Sequence, residues 1–164
     1  MRNAREWTPQ LILAEIDAIK HKPGALLPIL HALQDRFGFV PEGAVPIIAD
    51  SLGHTRAEVH GVISFYHYFR TTPPGTHVVQ ICRAEACQAV GARGLEAHAK
   101  TRLDIDFHQT TRDREITLEA VYCLGNCACG PSIRIDDEVR GRVTPDTFDA
   151  LIDELRTRPL EVLA

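Results

Sequence analysis

Apolar residues recur at helical spacing through the first half of the chain and in short β-branched or alternating runs through the second. Ile12, Ile16 and Ile19 share one helical face, and Thr8 followed by Pro9 supplies an N-cap and a first-turn proline ahead of them. After Pro23-Gly24, a second stripe runs through Leu26, Ile29, Leu30, Leu33 and Phe37, with Pro28 in that helix's first turn and Gly38 at its end. A third, shorter helix is expected from Glu42 to Leu52, with Pro46 near its start and Gly53 closing it. Thr55-Arg56-Ala57-Glu58 is a capping box, a reciprocal pairing that satisfies two orphan backbone donors. Val59, Val62, Ile63, Tyr66 and Phe69 follow it as a stripe, with Phe65 beside them, and core packing is the expected use of that stripe.

The pattern changes after Thr71-Thr72-Pro73-Pro74-Gly75. His77-Val78-Val79-Gln80-Ile81 reads as a strand running into Cys82, and residues from about Gln88 to Leu103 read as a helix weakened by Gly91 and Gly94. Glu115 to Val121 alternates and leads to Cys123. Ser132 to Ile135 and Glu138 to Val143 make a hairpin across Asp136-Asp137, and Thr144-Pro145-Asp146 opens a last helix with Phe148, Leu151, Ile152 and Leu155 inward. The expected fold class is α+β, with a helical bundle over residues 1–75 and a β-α-β-β-β-α unit over 76–164. That order is compatible with a thioredoxin-like layer of sheet and helices. Both cysteine pairs then fall just past the ends of adjacent strands, where loops are free to close on a ligand.

Composition narrows the function. The 164-residue chain is 45% hydrophobic with net charge -4, and no basic block points to nucleic acid. The apolar stretch after the N-terminus is broken by Glu15 and Asp17, so no signal-peptide core forms. No run approaches the roughly 20 apolar residues of a membrane span. A soluble, cytoplasmic protein without direct membrane contact is expected. Five cysteines in such a chain point to metal or redox chemistry rather than to a disulfide framework.

Four of the cysteines form two pairs, Cys82 and Cys87 (C-x4-C) and Cys123 and Cys127 (C-x3-C). Paired thiolates at turn-length spacing grip one side of a metal each. The commoner zinc knuckles are tighter, and wider, unequal loops suit a binuclear [2Fe-2S] cluster. Gly125 and Gly130 allow turns at the second pair and leave bare N–H groups to point at sulfur, which stabilises negative charge there. Cys129 is read as a small buried thiol. Two further readings use the same residues: a structural zinc module, and a thiol-disulfide enzyme, for which a C-x-x-C at a helix start is missing. Four thiolates on a [2Fe-2S] core carry a net charge of about -2 oxidised and -3 reduced, by counting ligands and irons. Arg83 would raise the potential and Glu85 would lower it, and both are taken as solvated loop charges. His60 and His67 share a helical face two turns apart, too far for one metal. No G-x-G-x-x-G or G-x-x-x-x-G-K-[ST] motif supplies a nucleotide site.

With its C-x4-C and C-x3-C pairs, the segment Tyr122-Cys123-Leu124-Gly125-Asn126-Cys127 and the stretch Glu58 to Phe69, the chain resembles the thioredoxin-like [2Fe-2S] ferredoxins. In particular it is similar to the 24-kDa-type subunit of respiratory complex I and its relatives. These include the gamma subunit of NAD-dependent, molybdenum-containing formate dehydrogenases and the matching subunit of NAD-linked hydrogenases. The resemblance spans nearly the whole chain and places the family's ligands on Cys82, Cys87, Cys123 and Cys127, with no role for Cys129. It implies a [2Fe-2S] cluster and a flavoprotein partner that binds FMN and NAD(H) and carries its own iron-sulfur cluster. Of the parent complexes, it leans toward a soluble formate dehydrogenase with a larger molybdopterin subunit. The helical half is expected to carry much of the docking surface, and in isolation the expectation extends to a homodimer.

Overall fold

The computed structural model describes residues 6–157, and the chain divides between Pro74 and Gly75 into two compact units. The first contains α1 (Pro9–Ile19), α2 (Leu26–Phe37), α3 (Ala44–Leu52) and α4 (Arg56–Phe65). Their apolar stripes converge on one core built around Ile12, Ile16, Ile29, Leu33, Phe37 and Ile48, all fully buried. Thr8 Oγ1 caps α1 and the Thr55–Glu58 capping box opens α4 as the sequence predicts.

Two boundaries differ from expectation. The third helix begins at Ala44 because Glu42 and Gly43 are spent on the preceding turn, where Pro41 O accepts from Ala44 N. The fourth stops at Phe65, since Tyr66 is extended at φ -92°, ψ 96°. The stripe therefore splits. Val59 and Ile63 are buried and Phe69 folds back into the core, while Phe65 is 74% exposed. Buried Gln34 clips the returning segment, donating to Tyr68 O and accepting from Arg70 N, each at 2.8 Å. His67 lies beyond α4 and so shares no helical face with His60.

The second unit runs β1 (His77–Cys82), α5 (Glu85–Ala89), α6 (Ala92–Leu103), β2 (Gln109–Thr110), β3 (Ile116–Val121), β4 (Ile133–Ile135), β5 (Glu138–Arg140) and α7 (Pro145–Thr157). The sheet order is β2-β3-β1-β4-β5. β1 and β3 are parallel, in register from His77 opposite Ile116 to Cys82 opposite Val121, and every other pairing is antiparallel. Alternate residues Val79, Ile81, Ile116, Leu118, Ile133 and Ile135 share one face, as the two-residue strand period requires. α6 and α7 bury Leu95, Ala99, Phe148 and Ile152 in the same core. The two helices are tied to each other by His98 to Asp149 and Arg102 to Asp153, at 2.8 and 2.7 Å.

The α+β architecture is the one expected from the sequence, with two refinements in this unit. The helix anticipated from Gln88 to Leu103 is cut in two, because Gly91 takes φ 101°, a left-handed conformation that breaks the helical ladder. Gly94 is accommodated inside α6. The two-residue strand β2 is too short to leave a periodic signal. Among the described residues, no helix is long and apolar enough to cross a membrane.

Candidate metal centre

Because β1 and β3 run parallel as neighbours, the chain leaves both strands at the same end of the sheet. Cys82 is the last residue of β1, opposite Val121, and the loop bearing Cys123 starts just beyond. Main-chain bonds pin the exit: Cys82 N donates to Ser132 O at 3.0 Å and Arg83 N donates to Val121 O at 2.7 Å. The chain then turns into α5, which carries Cys87. Cys82 and Cys87 are each 2% exposed and pack with Ala92, Ala84, Val121 and Leu124.

The second couple lies at the surface. Its sulfurs stand 3.8 Å apart. A disulfide would bring them to about 2.0 Å. A tetrahedral metal with metal–sulfur bonds of about 2.3 Å sets two thiolates about 3.8 Å apart, so the couple is spaced for chelation. Gly125, at φ 73°, makes the turn and donates its N–H to Cys123 Sγ at 3.3 Å. Cys127 to Cys129 form a single 3-10 turn, with Cys129 N donating to Asn126 O. Ser132 Oγ braces this loop, accepting from Asn126 Nδ2 at 3.2 Å and lying 3.3 Å from Cys129 O.

Three observations link the two couples. The backbone N–H of Leu124, in the second loop, donates toward the Cys82 sulfur, as does that of Ala84. Burial nevertheless holds the Cys82 thiol above its ordinary pKa, and the neighbouring Cys87 thiol pushes the same way. The Cys127 thiol is raised first by its hydrogen bond with Cys123 and by that neighbour's charge, with Cys87 adding to it from the first loop. Finally, Gly130 packs so closely that a Cβ there would sit 3.3 Å from Cys87 Sγ and 2.8 Å from Val90 Cγ2. Among the described residues, no three Cys, His, Asp or Glu side chains gather tightly enough to hold one ion. The sulfurs stand as two couples linked by these interactions.

Each couple has two soft donors, glycine backbone beside it and amide N–H groups aimed at sulfur, and this donor set fits a cluster with two soft metal ions. Cys129 is only half-buried rather than the buried thiol expected, and it lies in a 3-10 turn with its carbonyl accepting from Arg142 N at 2.7 Å. Glu85 is exposed as expected, but it opens α5 rather than lying in a loop. Arg83 is not a solvated loop charge: its Nε lies 3.0 Å from Glu96 Oε2. Sequence reasoning missed this pairing, the Leu124 amide, the Ser132 brace and the close approach of Gly130. Only the Gly-Pro dipeptide after Cys129 marked any of them, as a turn signal.

The chain has clear relatives. The family model for thioredoxin-like [2Fe-2S] ferredoxins matches residues 12–156. A subunit of the NADH-quinone oxidoreductase of Salmonella typhimurium is 34% identical over 154 residues, covering 90% of this chain and 93% of that protein. The HndA subunit of the NADP-reducing hydrogenase of Solidesulfovibrio fructosivorans is 32% identical over 139 residues, covering 85% and 81%. A crystal structure of an air-oxidised NAD+-reducing [NiFe]-hydrogenase shares the fold, with TM-score 0.69 and 22% identity over 85% of this chain. This chain spans about a quarter (24%) of that hydrogenase chain's length.

Proposed function

The chain belongs to the thioredoxin-like [2Fe-2S] ferredoxin family, and from that premise we propose that Cys82, Cys87, Cys123 and Cys127 hold its [2Fe-2S] cluster and that the chain is the one-electron carrier subunit of an NAD(H)-linked oxidoreductase. The observation that carries the ligand assignment is the convergence of two sulfur couples beyond the shared end of two parallel strands. When bound, the cluster supplies reversible one-electron transfer, whereas hydride chemistry belongs to a nicotinamide and a flavin on another subunit. Cys82 and Cys87 grip it from the dry side, and Cys123 and Cys127 close over it from the surface. The N–H groups of Ala84, Leu124 and Gly125 offset the negative charge on sulfur. The exposed second couple leaves a sulfur edge open to a redox partner.

The partner is a flavoprotein binding FMN and NAD(H). The helical unit supplies part of its docking surface, where Phe65, Tyr66 and Tyr68 stand exposed close together in sequence. The finer reading, a soluble formate dehydrogenase with a molybdopterin subunit, draws on the sequence resemblance. The names of the relatives, an NADH-quinone oxidoreductase subunit and a hydrogenase subunit, favour a second reading with one of those as the parent complex. Purification of the full-length chain from its own cells tests both levels. A flavoprotein is expected to co-purify, and formate:NAD+, hydrogen:NAD+ or NADH:quinone activity identifies the parent. Recovery of a cluster-loaded chain with no flavin-containing partner would contradict the carrier role.

A further inference from the structure

Arg83 is a cation fixed on the Cys82 side of the site. Arg83 follows that cysteine directly, and its main chain is pinned at both ends. Its N donates to Val121 O at 2.7 Å, and its carbonyl accepts from Gln88 Nε2 at 2.5 Å. The guanidinium lies 3.0 Å from Glu96 and 5.3 Å from the centroid of Phe107. Lys100 engages the same two groups, with Glu96 Oε1 at 2.8 Å and the Phe107 centroid at 4.5 Å. Glu96 and Phe107 thus form a clamp shared by two cations. Arg83 Nε is buried, and although Glu96 is near enough for charge attraction, the atom finds no hydrogen-bond acceptor. Arg83, Glu96 and Lys100 line a cavity of about 400 Å³ together with Cys82, Gln88 and Arg93, three cations against one carboxylate.

A fixed, half-buried charge acts differently from a solvated one. Water and salt screen a mobile surface arginine fully, whereas the Arg83 side chain, 37% exposed and held in one place, is screened only in part and keeps some of its field over several ångströms. The four-thiolate site gains one negative charge on reduction, so a cation held beside one ligand stabilises the reduced form preferentially. We propose that Arg83, clamped by Glu96 and Phe107, is a positioning cation that raises the reduction potential of the cluster held by Cys82, and that the Glu96 charge trims its effect. This rests on the four-cysteine ligation proposed above. It singles out the C-x4-C loop, with Arg83 at its first position, as the determinant of this chain's own potential.

The test is a redox titration of the anaerobically reconstituted full-length chain, followed by visible absorbance and electron paramagnetic resonance. Arg83→Gln is expected to lower the potential, cutting the reduced-to-oxidised ratio at a fixed ambient potential by about five- to tenfold. Tenfold corresponds to about 59 mV for a one-electron couple. Glu96→Gln keeps the shape of the clamp while losing its charge, so it is expected to move the potential the opposite way. Arg83→Lys should retain most of the wild-type value. A structural disturbance alone would not produce shifts of opposite sign. An unchanged potential in Arg83→Gln, or shifts of the same sign in the two variants, would overturn the proposal. If Arg83→Gln does not assemble, Glu96→Gln decides alone, and a lowered or unmoved potential sinks the idea. Iron and sulfide are measured on every sample. A wild-type chain that takes up neither undoes the ligation, while loaded variants with unmoved potentials undo only the role of Arg83.

Discussion

Cys82 and Cys87 are each 2% exposed, whereas Cys123 and Cys127 lie on the surface. The first couple takes its order from regular structure, one sulfur at the end of a central strand and the other on a helix. The second is held by a single 3-10 turn, one serine hydroxyl and the tight seat of Gly141, where a Cβ would come within 2.7 Å of Cys129 O. One half of the site is dry and set by the sheet. The other is wet and closes over it. On the proposed four-cysteine ligation, the dry half would fix where a cluster sits, and the wet half would give a partner access to it. Burial also makes the Cys82 thiol costly to ionise without metal, which would tie the order of that loop to metal loading.

The contrast is broken most severely at the dry half. Cys87→Ala is expected to abolish cluster uptake, because at 2% exposure the position offers solvent little access to replace the thiolate. Cys127→Ser, at the wet half, should keep a fraction of the iron with an altered visible spectrum. Iron per chain after reconstitution checks this, and the reverse ranking would show that the second couple, not the first, is the foundation. Gly130→Ala comes next. Its Cβ would press on Val90 and Cys87, where overpacking costs about 1–3 kcal/mol. Urea unfolding of the metal-free chain measures that loss, and cluster loading should fall with it.

Thr55→Ala lies in the other unit and removes the α4 cap, at a cost of about 1 kcal/mol, read by thermal unfolding of the helical signal. The Glu58 carboxyl is held below its ordinary pKa, first by the backbone N–H of Thr55 and then by its hydroxyl. Its contribution is therefore present above the unfolded-state pKa and fades as pH falls through the folded one. The gap between wild type and variant should narrow in acid, with cluster content unchanged. The smallest effect belongs to Cys129→Ala, which should leave the cluster spectrum as it is. Loss of the cluster there, with retention in Cys127→Ala, would move the fourth ligand to Cys129.

The helical stripes, the capping box, the main strands and the two cysteine pairs were legible because each is written locally, in periodicity or spacing. The split at Gly91 was written locally too, but helix propensity around it outweighed one glycine until φ 101° settled the matter. The Arg83–Glu96–Phe107 clamp and the contact of Gly130 with Cys87 were not legible. Both join residues from different elements, and only the parallel pairing of β1 with β3 and the turn after Cys129 bring them together. Tyr66 shows a third kind of miss: its spacing continued the α4 stripe, yet the clip made by Gln34 draws the chain out of the helix to return Phe69 to the core.

The most direct measurement is iron, acid-labile sulfide and zinc in the full-length chain after anaerobic reconstitution. About two irons and two sulfides per chain, with reddish-brown colour and a paramagnetic signal on reduction, is the result expected of four cysteines gripping a [2Fe-2S] core. A colourless chain holding one tightly bound zinc, or neither iron nor sulfide, would contradict it.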